Sequence, residues 1–416
     1  MVCRINKKNK SILAIIFFVL IISLVVLSGI PFSRLDTFSN CTFLTQSELL
    51  EISKANYFGP FIRASVKNGI INTINSEIYD SYEPEIEFKL FNLIPIKSKR
   101  IKVLRSNKVL ASGSAIGLVL KTEGVLVVGS SPVSTLEGEK DALVDGVLKI
   151  GDVITQIENE TVEGVSSISR IINEENNKNK ELNIKIIRKN KEINTKIKPC
   201  YDVKSENYKL GVWVRDDASG VGTLTYIDEN NRFGALGHPI CDSDTKSKIS
   251  LKEGKVYKCS VLGVNKGVSG DPGEIKGFFM QGKNEQGVVE KNNAYGIFGN
   301  VNKDNELVNN SSQCEVGGRM SVKPGKAQIR CCVEGTNVET FDIEIIKTNY
   351  QTYSNDKSMV IRVTDNRLLE KTGGIVQGMS GSPIIQNGKI VGAVTHVFVS
   401  DPTKGFGVYI DWMLDQ

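Results

Sequence analysis

The residues best suited to chemistry lie near the C-terminus, in the stretch GMSGSPIIQNGKIVGAVTHV, residues 378–397. A glycine two positions before Ser380, a second glycine directly after it and Pro383 predict a tight turn from which the serine hydroxyl projects. A serine alcohol is a poor nucleophile at neutral pH, so acyl transfer needs a base beside it and N–H donors where the oxyanion of the tetrahedral intermediate forms. The backbone N–H groups of Gly378 and Ser380 are the predicted donors.

The spacing around Ser380 argues against one class of hydrolase. Lipases and esterases carry their nucleophile in the pattern G-x-S-x-G, and Ser382 stands here where the last glycine should be. After the turn, residues 383–385 and 389–397 are predicted to form two strands joined by an Asn-Gly hairpin. At this point a hairpin without catalytic function, within some other β domain, stays open as the alternative.

A base for Ser380 has to come from one of only two histidines, His238 and His396. His238 lies in FGALGHPI, a glycine-bounded turn after a strand-like run, where a side chain can be held in place and still meet a partner. It precedes Ser380, as the base does in chymotrypsin-like enzymes, although the same triad recurs in several chain orders. We therefore predict that His238 is the base.

The second histidine lies in the strand after the nucleophile hairpin, sixteen residues beyond Ser380. Side chains alternate along a strand, so Thr395 and His396 are predicted to point to opposite faces. We predict that both are substrate-binding residues and that His396 forms a polar wall of the specificity pocket rather than acting as the base. A histidine packed within the wall of the domain is the alternative.

The N-terminus predicts a membrane anchor. Four basic residues within the first ten precede an apolar run over residues 12–30. Nineteen helical residues span about 28 Å, which matches a hydrocarbon core, and the basic flank places the N-terminus in the cytoplasm and the rest of the chain outside it. We predict an uncleaved transmembrane helix, with a cleaved signal peptide as the alternative.

Composition argues against several other functions. Part of the net charge of +5 comes from a lysine-rich stretch, residues 178–198, in which lysines alternate with Glu and Asn. This pattern is typical of a solvated face rather than of a nucleic-acid site. Eight cysteines in an exported chain permit disulfides, but C-x-x-C spacing is absent from the sequence. We predict neither a metal site, nor a cofactor, nor a defined disulfide framework.

Three regions are predicted after the anchor in residues 1–31. Residues 32–104 read as a polar tether with lead-in strands, and residues 201–416 as an all-β barrel or sandwich, because short β-like runs alternate there with Gly, Asn and Asp. Between them, the order of elements in residues 105–200 resembles a bacterial PDZ domain, most clearly in DGVLKIGDVITQIENETV.

The PDZ resemblance implies peptide binding. In such domains a backbone loop captures a peptide C-terminus, and the peptide adds as a β-strand. Here the loop would be residues 114–118, with Gly117 and Leu118 contacting the peptide. A β-rich domain with ordinary glycine turns is the alternative interpretation.

Together, the anchor, the PDZ-like region and the stretches around both histidines closely resemble the stage IV sporulation protein B peptidase family of endospore-forming bacteria. Beyond the motifs already given, GVWVRDDASGVGTLTYID and GDPGEIKGFF carry this resemblance. It implies a serine endopeptidase with a chymotrypsin-like double β-barrel, exported to the space between the forespore membranes. Such peptidases cleave a membrane-protein regulator of an intramembrane protease, which activates processing of a late sigma factor, and they also process themselves.

By matching motifs, the resemblance makes Ser380 the nucleophile, His238 the general base and Asp365 the third catalytic residue. Asp365 precedes Ser380 by only fifteen positions, so Asp271 and Asp342 stay open as the orienting carboxylate, with Asp365 then lining the cleft or holding a turn. The PDZ-like region would recruit a substrate or a second copy of the chain. A catalytically inert PDZ scaffold is the competing hypothesis, and the presence of both a nucleophile and a base favours the peptidase.

Overall fold

A computed structural model of the chain describes residues 16–20, 23, 35, 38, 43–54, 58, 61–67, 81–104, 108–141, 146–189, 191–349, 351 and 355–416. Strands dominate these residues, which confirms the predicted mainly β class. Most of the predicted anchor, residues 12–30, lies outside the described residues. Within them, no helix combines the length and the hydropathy that a membrane crossing requires.

The N-terminal region forms two small sheets and one helix. The helix α1 begins with a capping box, in which the Thr45 hydroxyl accepts from the Glu48 N–H and the Glu48 carboxylate accepts from the Thr45 N–H. Strands β2, β4 and β5 make one three-stranded sheet, and β1, β6 and β3 make the other. The elements are β1 (Phe43–Thr45), α1 (Gln46–Ile52), β2 (Ile62–Lys67), β3 (Ser81–Tyr82), β4 (Glu85–Leu90), β5 (Ile94–Arg100) and β6 (Lys102–Leu104).

This region contains the predicted lead-in strands, but its described residues also have a hydrophobic core of their own, which a polar tether would lack. Three buried aromatic rings, those of Phe38, Phe58 and Phe88, contact one another edge to face. Met320, from the C-terminal half of the chain, belongs to the same core. The sequence pattern concealed this core because its apolar residues are widely spaced and meet only in the folded chain.

Two long strands connect the next two regions. Strands β8 and β17 have sixteen residues each and pair antiparallel along most of their length. An inserted module, residues 124–214, includes the end of β8 and the start of β17. It has its own core around the α2 helix and strands β11 and β13. The elements are β7 (Lys108–Ala111), β8 (Ala115–Ser130), β9 (Val133–Thr135), β10 (Gly138–Lys140), β11 (Val153–Ile157), β12 (Glu160–Thr161), α2 (Val165–Asn173), β13 (Leu182–Arg188), β14 (Lys191–Ile197), β15 (Cys200–Asp202), β16 (Asn207–Lys209) and β17 (Val212–Ile227).

The remaining elements belong to the C-terminal region, where mostly antiparallel strands form one hydrogen-bonded network that closes through β7 and β8, and β20 and β21 form a separate two-stranded sheet. They are β18 (Arg232–Ala235), β19 (Leu251–Lys258), β20 (Ser260–Asn265), β21 (Glu274–Phe278), β22 (Glu285–Asn293), β23 (Gly296–Val301), a 3₁₀ turn (Leu307–Asn310), β24 (Ser312–Val316), β25 (Gly325–Glu334), β26 (Asn337–Thr348), β27 (Met359–Val363), α3 (Asn366–Thr372), β28 (Pro383–Gln386), β29 (Lys389–Phe398), β30 (Asp401–Tyr409) and α4 (Ile410–Leu414).

This network encloses two separate hydrophobic cores. One core includes Leu118, Leu224 and Val256 from strands β8, β17 and β19. The other includes Ile384 and Val394 from the strands that flank Ser380. Because the first half of β8 packs into the C-terminal region, this region begins before the inserted module and resumes after it, rather than starting at residue 201.

The peptide-binding role predicted for Gly117 and Leu118 is wrong for the same reason. Gly117 lies within β8 and has register partners on both sides, Val221 in β17 and Tyr257 in β19. A strand flanked on both edges has no free backbone groups with which to capture a peptide. The alternating apolar pattern of IGLVL fits a strand of either domain, so the sequence could not show which one it joins.

Candidate active site

The loop between α3 and β28 holds Ser380 at the junction of two strands. The Gly381 N–H donates to the Val394 carbonyl at 2.8 Å, and the Thr223 N–H donates to the Ser380 carbonyl at 3.0 Å. Gly381 has a φ of +97°, and a Cβ added there would lie 2.0 Å from the Thr223 carbonyl oxygen. Only glycine therefore fits after the serine, because the loop has to pass this close to β17.

The two backbone groups predicted as oxyanion donors are available. Met379 donates its N–H to the Val376 carbonyl at 3.1 Å. Among the described residues, by contrast, neither the Gly378 N–H nor the Ser380 N–H has an acceptor within hydrogen-bond distance. Gly378 has a φ of +96°, a left-handed conformation that glycine adopts without strain. Both residues line one cavity, so two unused donors lie beside the Ser380 hydroxyl.

The Ser380 hydroxyl itself donates to the Thr395 carbonyl oxygen at 2.7 Å. The pairing of β29 with β30 shifts register between Val394 and Val397, so a β-bulge contains Thr395 and His396. A bulge interrupts the ladder and redirects the groups within it. As a result, both residues line the cavity rather than only one of them, Thr395 by its carbonyl and His396 by its ring.

His238 follows a turn in which Leu236 and Gly237 both have positive φ, +69° and +73°. Its Nδ1 lies 2.9 Å from the Pro239 carbonyl oxygen. Because a carbonyl only accepts, this contact assigns the proton to Nδ1 and leaves a lone pair on Nε2. Burial lowers the pKa of His238, and the Pro239 carbonyl and Asp356 oppose that effect. The imidazole is therefore neutral at pH 7, which is the form a base requires.

The second histidine stacks beside the first. The ring centroids of His238 and His396 are 4.8 Å apart at an interplanar angle of 36°. His396 Nδ1 lies 3.8 Å from a carboxylate oxygen of Asp356. Burial and the neighbouring His238 both lower the pKa of His396. The Asp356 carboxylate therefore lies close to His396, whose ring is tilted against that of His238.

Asp356 was absent from the sequence-based predictions, although it lines the cavity with His238 and Ser380. It lies in a polar loop before β27, without glycine spacing or strand alternation to single it out. No signal in the sequence indicates its position, because the contact that holds its loop, from the Thr395 hydroxyl to the Asp356 carbonyl oxygen at 3.1 Å, joins residues 39 positions apart.

The structure places Asp365 elsewhere. Its carboxylate caps the N-terminus of α3 by accepting from the Arg367 N–H at 3.0 Å, and it also accepts from the Asp342 N–H at 3.3 Å. The Arg367 guanidinium, 2.8 Å away, lowers the pKa of Asp365. Asp365 does not line the cavity that contains His238 and Ser380.

The two alternative carboxylates are also engaged outside this cavity. Asp342 accepts from the Gln328 side chain at 2.9 Å, and Asp271 accepts from the Gly273 N–H at 3.1 Å. Among the carboxylates considered from the sequence, therefore, none is brought next to His238.

The cavity has a volume of about 690 Å³ and lies between the two cores of the C-terminal region. Its lining combines apolar side chains, among them Ile375 and Val376, with the two histidines. Leu118, predicted to bind a peptide terminus, also lines this cavity, while Gly117 packs against the ring of Phe279. A cavity of this size and polarity fits a peptide side chain next to a nucleophile.

The family to which the sequence is similar agrees with this chemistry. The model of the family described as SpoIVB peptidase S55 matches residues 206–414, half of the chain. Two solved structures are similar in part. The active form of the Rv3671c protease from M. tuberculosis is 16% identical, with 48% of this chain and 74% of that chain covered and a TM-score of 0.27. The PDZ domain of an SdrC-like protein from Listeria monocytogenes is 21% identical, with 22% and 87% covered and a TM-score of 0.18.

No curated protein matched the chain. The family match, however, spans β18, the turn that carries His238, the Ser380 loop and the bulge in β29. The chain therefore belongs to the SpoIVB peptidase S55 family and is a serine peptidase.

Proposed function

We propose that Ser380 is the nucleophile and His238 the general base of an endopeptidase. The observation that carries this proposal is that the two side chains share one cavity with two unused backbone donors. Nε2 of His238 takes the hydroxyl proton as Ser380 Oγ attacks the carbonyl carbon of a peptide bond. The N–H groups of Gly378 and Ser380 then stabilise the oxyanion.

His238 transfers the protons in both halves of the reaction. As the tetrahedral intermediate collapses, the protonated imidazole gives its proton to the leaving amine and an acyl-enzyme remains on Ser380. Water then attacks this ester, with His238 again as the base, and Ser380 leaves with its proton restored. For the first step the Ser380 hydroxyl has to turn from the Thr395 carbonyl to His238, a tightening that serine hydrolases often complete only with substrate bound.

Asp356 is the carboxylate that we propose to stabilise the imidazolium. Its charge favours the protonated form of both histidines, and it lines the same cavity as His238 and His396. For Asp365 we propose that its part in catalysis is to hold the start of the helix that leads into the Ser380 loop. In both roles the residue acts through a neighbour, so each is a positioning residue.

At the level of the cell, we propose a membrane-tethered signalling peptidase of sporulation. The family implies export to the forespore intermembrane space, cleavage of a membrane-protein regulator of an intramembrane protease, and self-processing. The apolar run over residues 12–30 supports a tether. The inserted module would recruit the protein substrate or a second copy of the chain, as PDZ-like domains do.

Labelling with a fluorophosphonate, followed by mapping of the adduct, tests the proposal. We expect the adduct on Ser380 and its loss in Ser380→Ala and in His238→Ala, together with the loss of self-processing and substrate cleavage. Ser382→Ala is the matched control, because this neighbouring hydroxyl is buried and donates to the Met379 carbonyl at 2.7 Å, and we expect it to keep the label. Cleavage by a folded Ser380→Ala variant would overturn the assignment, and an unlabelled, inactive wild type would favour the inert scaffold.

A further inference from the structure

The hairpin between β4 and β5 carries an exposed cluster of large apolar side chains, which we call the apolar tip. Its members are exposed by 37% to 80% and follow one another closely along the hairpin at the end of the N-terminal sheet. They are Phe91, Leu93, Ile94 and Ile96. Isolated apolar residues on a surface are ordinary, whereas a contiguous cluster at the end of a hairpin marks an interaction site.

The turn presents this cluster in a fixed shape. The Leu93 N–H donates to the Leu90 carbonyl at 3.0 Å, and both central residues have positive φ, +51° at Phe91 and +60° at Asn92. Glycine and asparagine are the residues that such a turn favours, and a bulky aromatic at positive φ is strained. The ring of Phe91 packs against that of Phe61 with centroids 5.3 Å apart. This ring contact stabilises Phe91 in its strained conformation, whereas Leu93, at 80% exposed, stays the most open member of the tip.

Basic residues lie on the strands directly behind the apolar tip. Arg63 in β2 and Lys89 in β4 are register partners, and Lys97 follows the apolar residues along β5. Like charges opposite each other on neighbouring strands destabilise a sheet unless something of opposite charge lies nearby. Lys89 contacts Glu87 at 3.2 Å, but the same carboxylate also pairs with Lys67 on the side away from the tip. Three basic residues, which we call the basic collar, therefore lie behind the apolar tip: Arg63, Lys89 and Lys97.

We propose that the apolar tip inserts into the surface of an anionic lipid bilayer, with the basic collar at the level of the phosphates. Apolar side chains gain free energy by entering the boundary between headgroups and acyl chains, and each lysine or arginine near an anionic surface contributes about 1 kcal/mol. The predicted anchor over residues 12–30 would place the N-terminal region beside a membrane, but the inference itself rests on the described residues.

The same residues argue against two protein occupants. Strand β5 is the edge of its sheet, and Pro95 within it has no N–H to offer to an added strand. Lysines on an edge strand also disfavour strand addition. A second copy of the chain would bring an identical basic collar, and the two basic collars would repel each other.

Site-specific fluorescence in the full chain tests the inference. Leu93→Trp is introduced together with Ser380→Ala, which keeps the chain uncut and separates this test from that of the peptidase. The protein is reconstituted into phosphatidylcholine vesicles with or without phosphatidylglycerol, with brominated acyl chains as the quencher. The Ser380→Ala chain gives the background of Trp213 and Trp412. Leu136→Trp is the control, since Leu136 is 95% exposed on the inserted module.

We expect the emission of the tryptophan at position 93 to shift to the blue and to be quenched in anionic vesicles, with neither change at position 136. Lys89→Gln and Lys97→Gln should each lower the ratio of inserted to free tip about fivefold, as the loss of one positive charge requires. Equal, unquenched emission at both positions overturns the inference. A blue shift without quenching, together with cross-linked dimers, also overturns it and identifies a second copy as the occupant.

Discussion

Replacing Asp365 tests whether this residue orients His238 or holds the helix before the Ser380 loop. The informative pair of variants is Asp365→Asn and Asp365→Ala. Asparagine keeps an oxygen that can accept the Arg367 N–H and so preserves the helix cap, whereas alanine removes it. An orienting carboxylate, by contrast, loses its function in both variants, because an amide favours the wrong imidazole tautomer.

The capping role and the orienting role predict losses of kcat/KM of very different size. Loss of an N-cap costs about 1 kcal/mol of stability, and the ion pair with Arg367, whose side chain is 62% exposed, contributes less than about 1 kcal/mol. We therefore expect Asp365→Asn to keep kcat/KM within about tenfold of wild type, with Asp365→Ala the more damaging of the two. An orienting role predicts a loss of roughly 10⁴-fold in both variants.

Asp356→Asn supplies the comparison. Unit charges 4 Å apart interact by about 1 kcal/mol in water and about 4 kcal/mol near a protein surface. Asp356 and His396 lie 3.8 Å apart, and their side chains are 30% and 41% exposed. We take about 1 to 2 kcal/mol, which corresponds to about fivefold to thirtyfold in kcat/KM. Loss of the negative charge also destabilises the imidazolium, so the acid limb of the kcat/KM profile should move to lower pH.

The assay is hydrolysis of a peptide substrate across the acid limb, with the unfolding transition of each variant measured in parallel. A folded Asp365→Asn protein with about 10⁴-fold lower kcat/KM would refute the capping role and return the orienting role to this residue. An unmoved acid limb in Asp356→Asn would remove Asp356 from the site, because losing a charge that acts on His238 has to lower the pKa of that imidazole, whereas a purely structural change lowers activity without moving it.

Two further predictions concern the ionisation of the buried Glu48 carboxyl and the peptide specificity set by His396. Burial and Asp411 raise the pKa of Glu48 from 4.5 to about 7, so the folded chain retains a proton that the unfolded chain has released. The free energy of unfolding, followed by urea denaturation, should fall by about 3 kcal/mol as the pH rises through that interval, and Glu48→Gln should flatten the decline. His396→Ala should change which members of a peptide library are cut while Ser380 keeps its fluorophosphonate label; if labelling is lost there and survives in His238→Ala, the two histidines are exchanged.

The sequence was informative where chemistry depends on local backbone shape. Gly378 and Gly381 adopt positive φ on either side of Ser380, and His238 follows a turn of the same kind. Such turns require particular residue types at fixed spacing, so they leave a readable pattern. This is why the nucleophile, the base and the two N–H donors could be proposed before the fold was known.

Long-range contacts left no such pattern. Asp356 reaches the histidines only because its loop folds onto the bulge in β29, and its neighbours along the chain give no sign of that contact. The core around Phe38, Phe58 and Phe88 joins residues that are far apart in the chain. A strand pattern reports alternation and not the identity of the partner strand, so Leu118 could be placed in a strand but not in the correct domain.

The continuity of β8 and β17 bears on how recruitment and cleavage are connected. The inserted module is joined to the C-terminal region by two paired strands rather than by a flexible linker. Strand β17 runs from the module into the cavity wall, and there the Thr223 hydroxyl donates to the Gly378 carbonyl at 2.7 Å. The same strand therefore contacts the core of the module at one end and the oxyanion loop at the other.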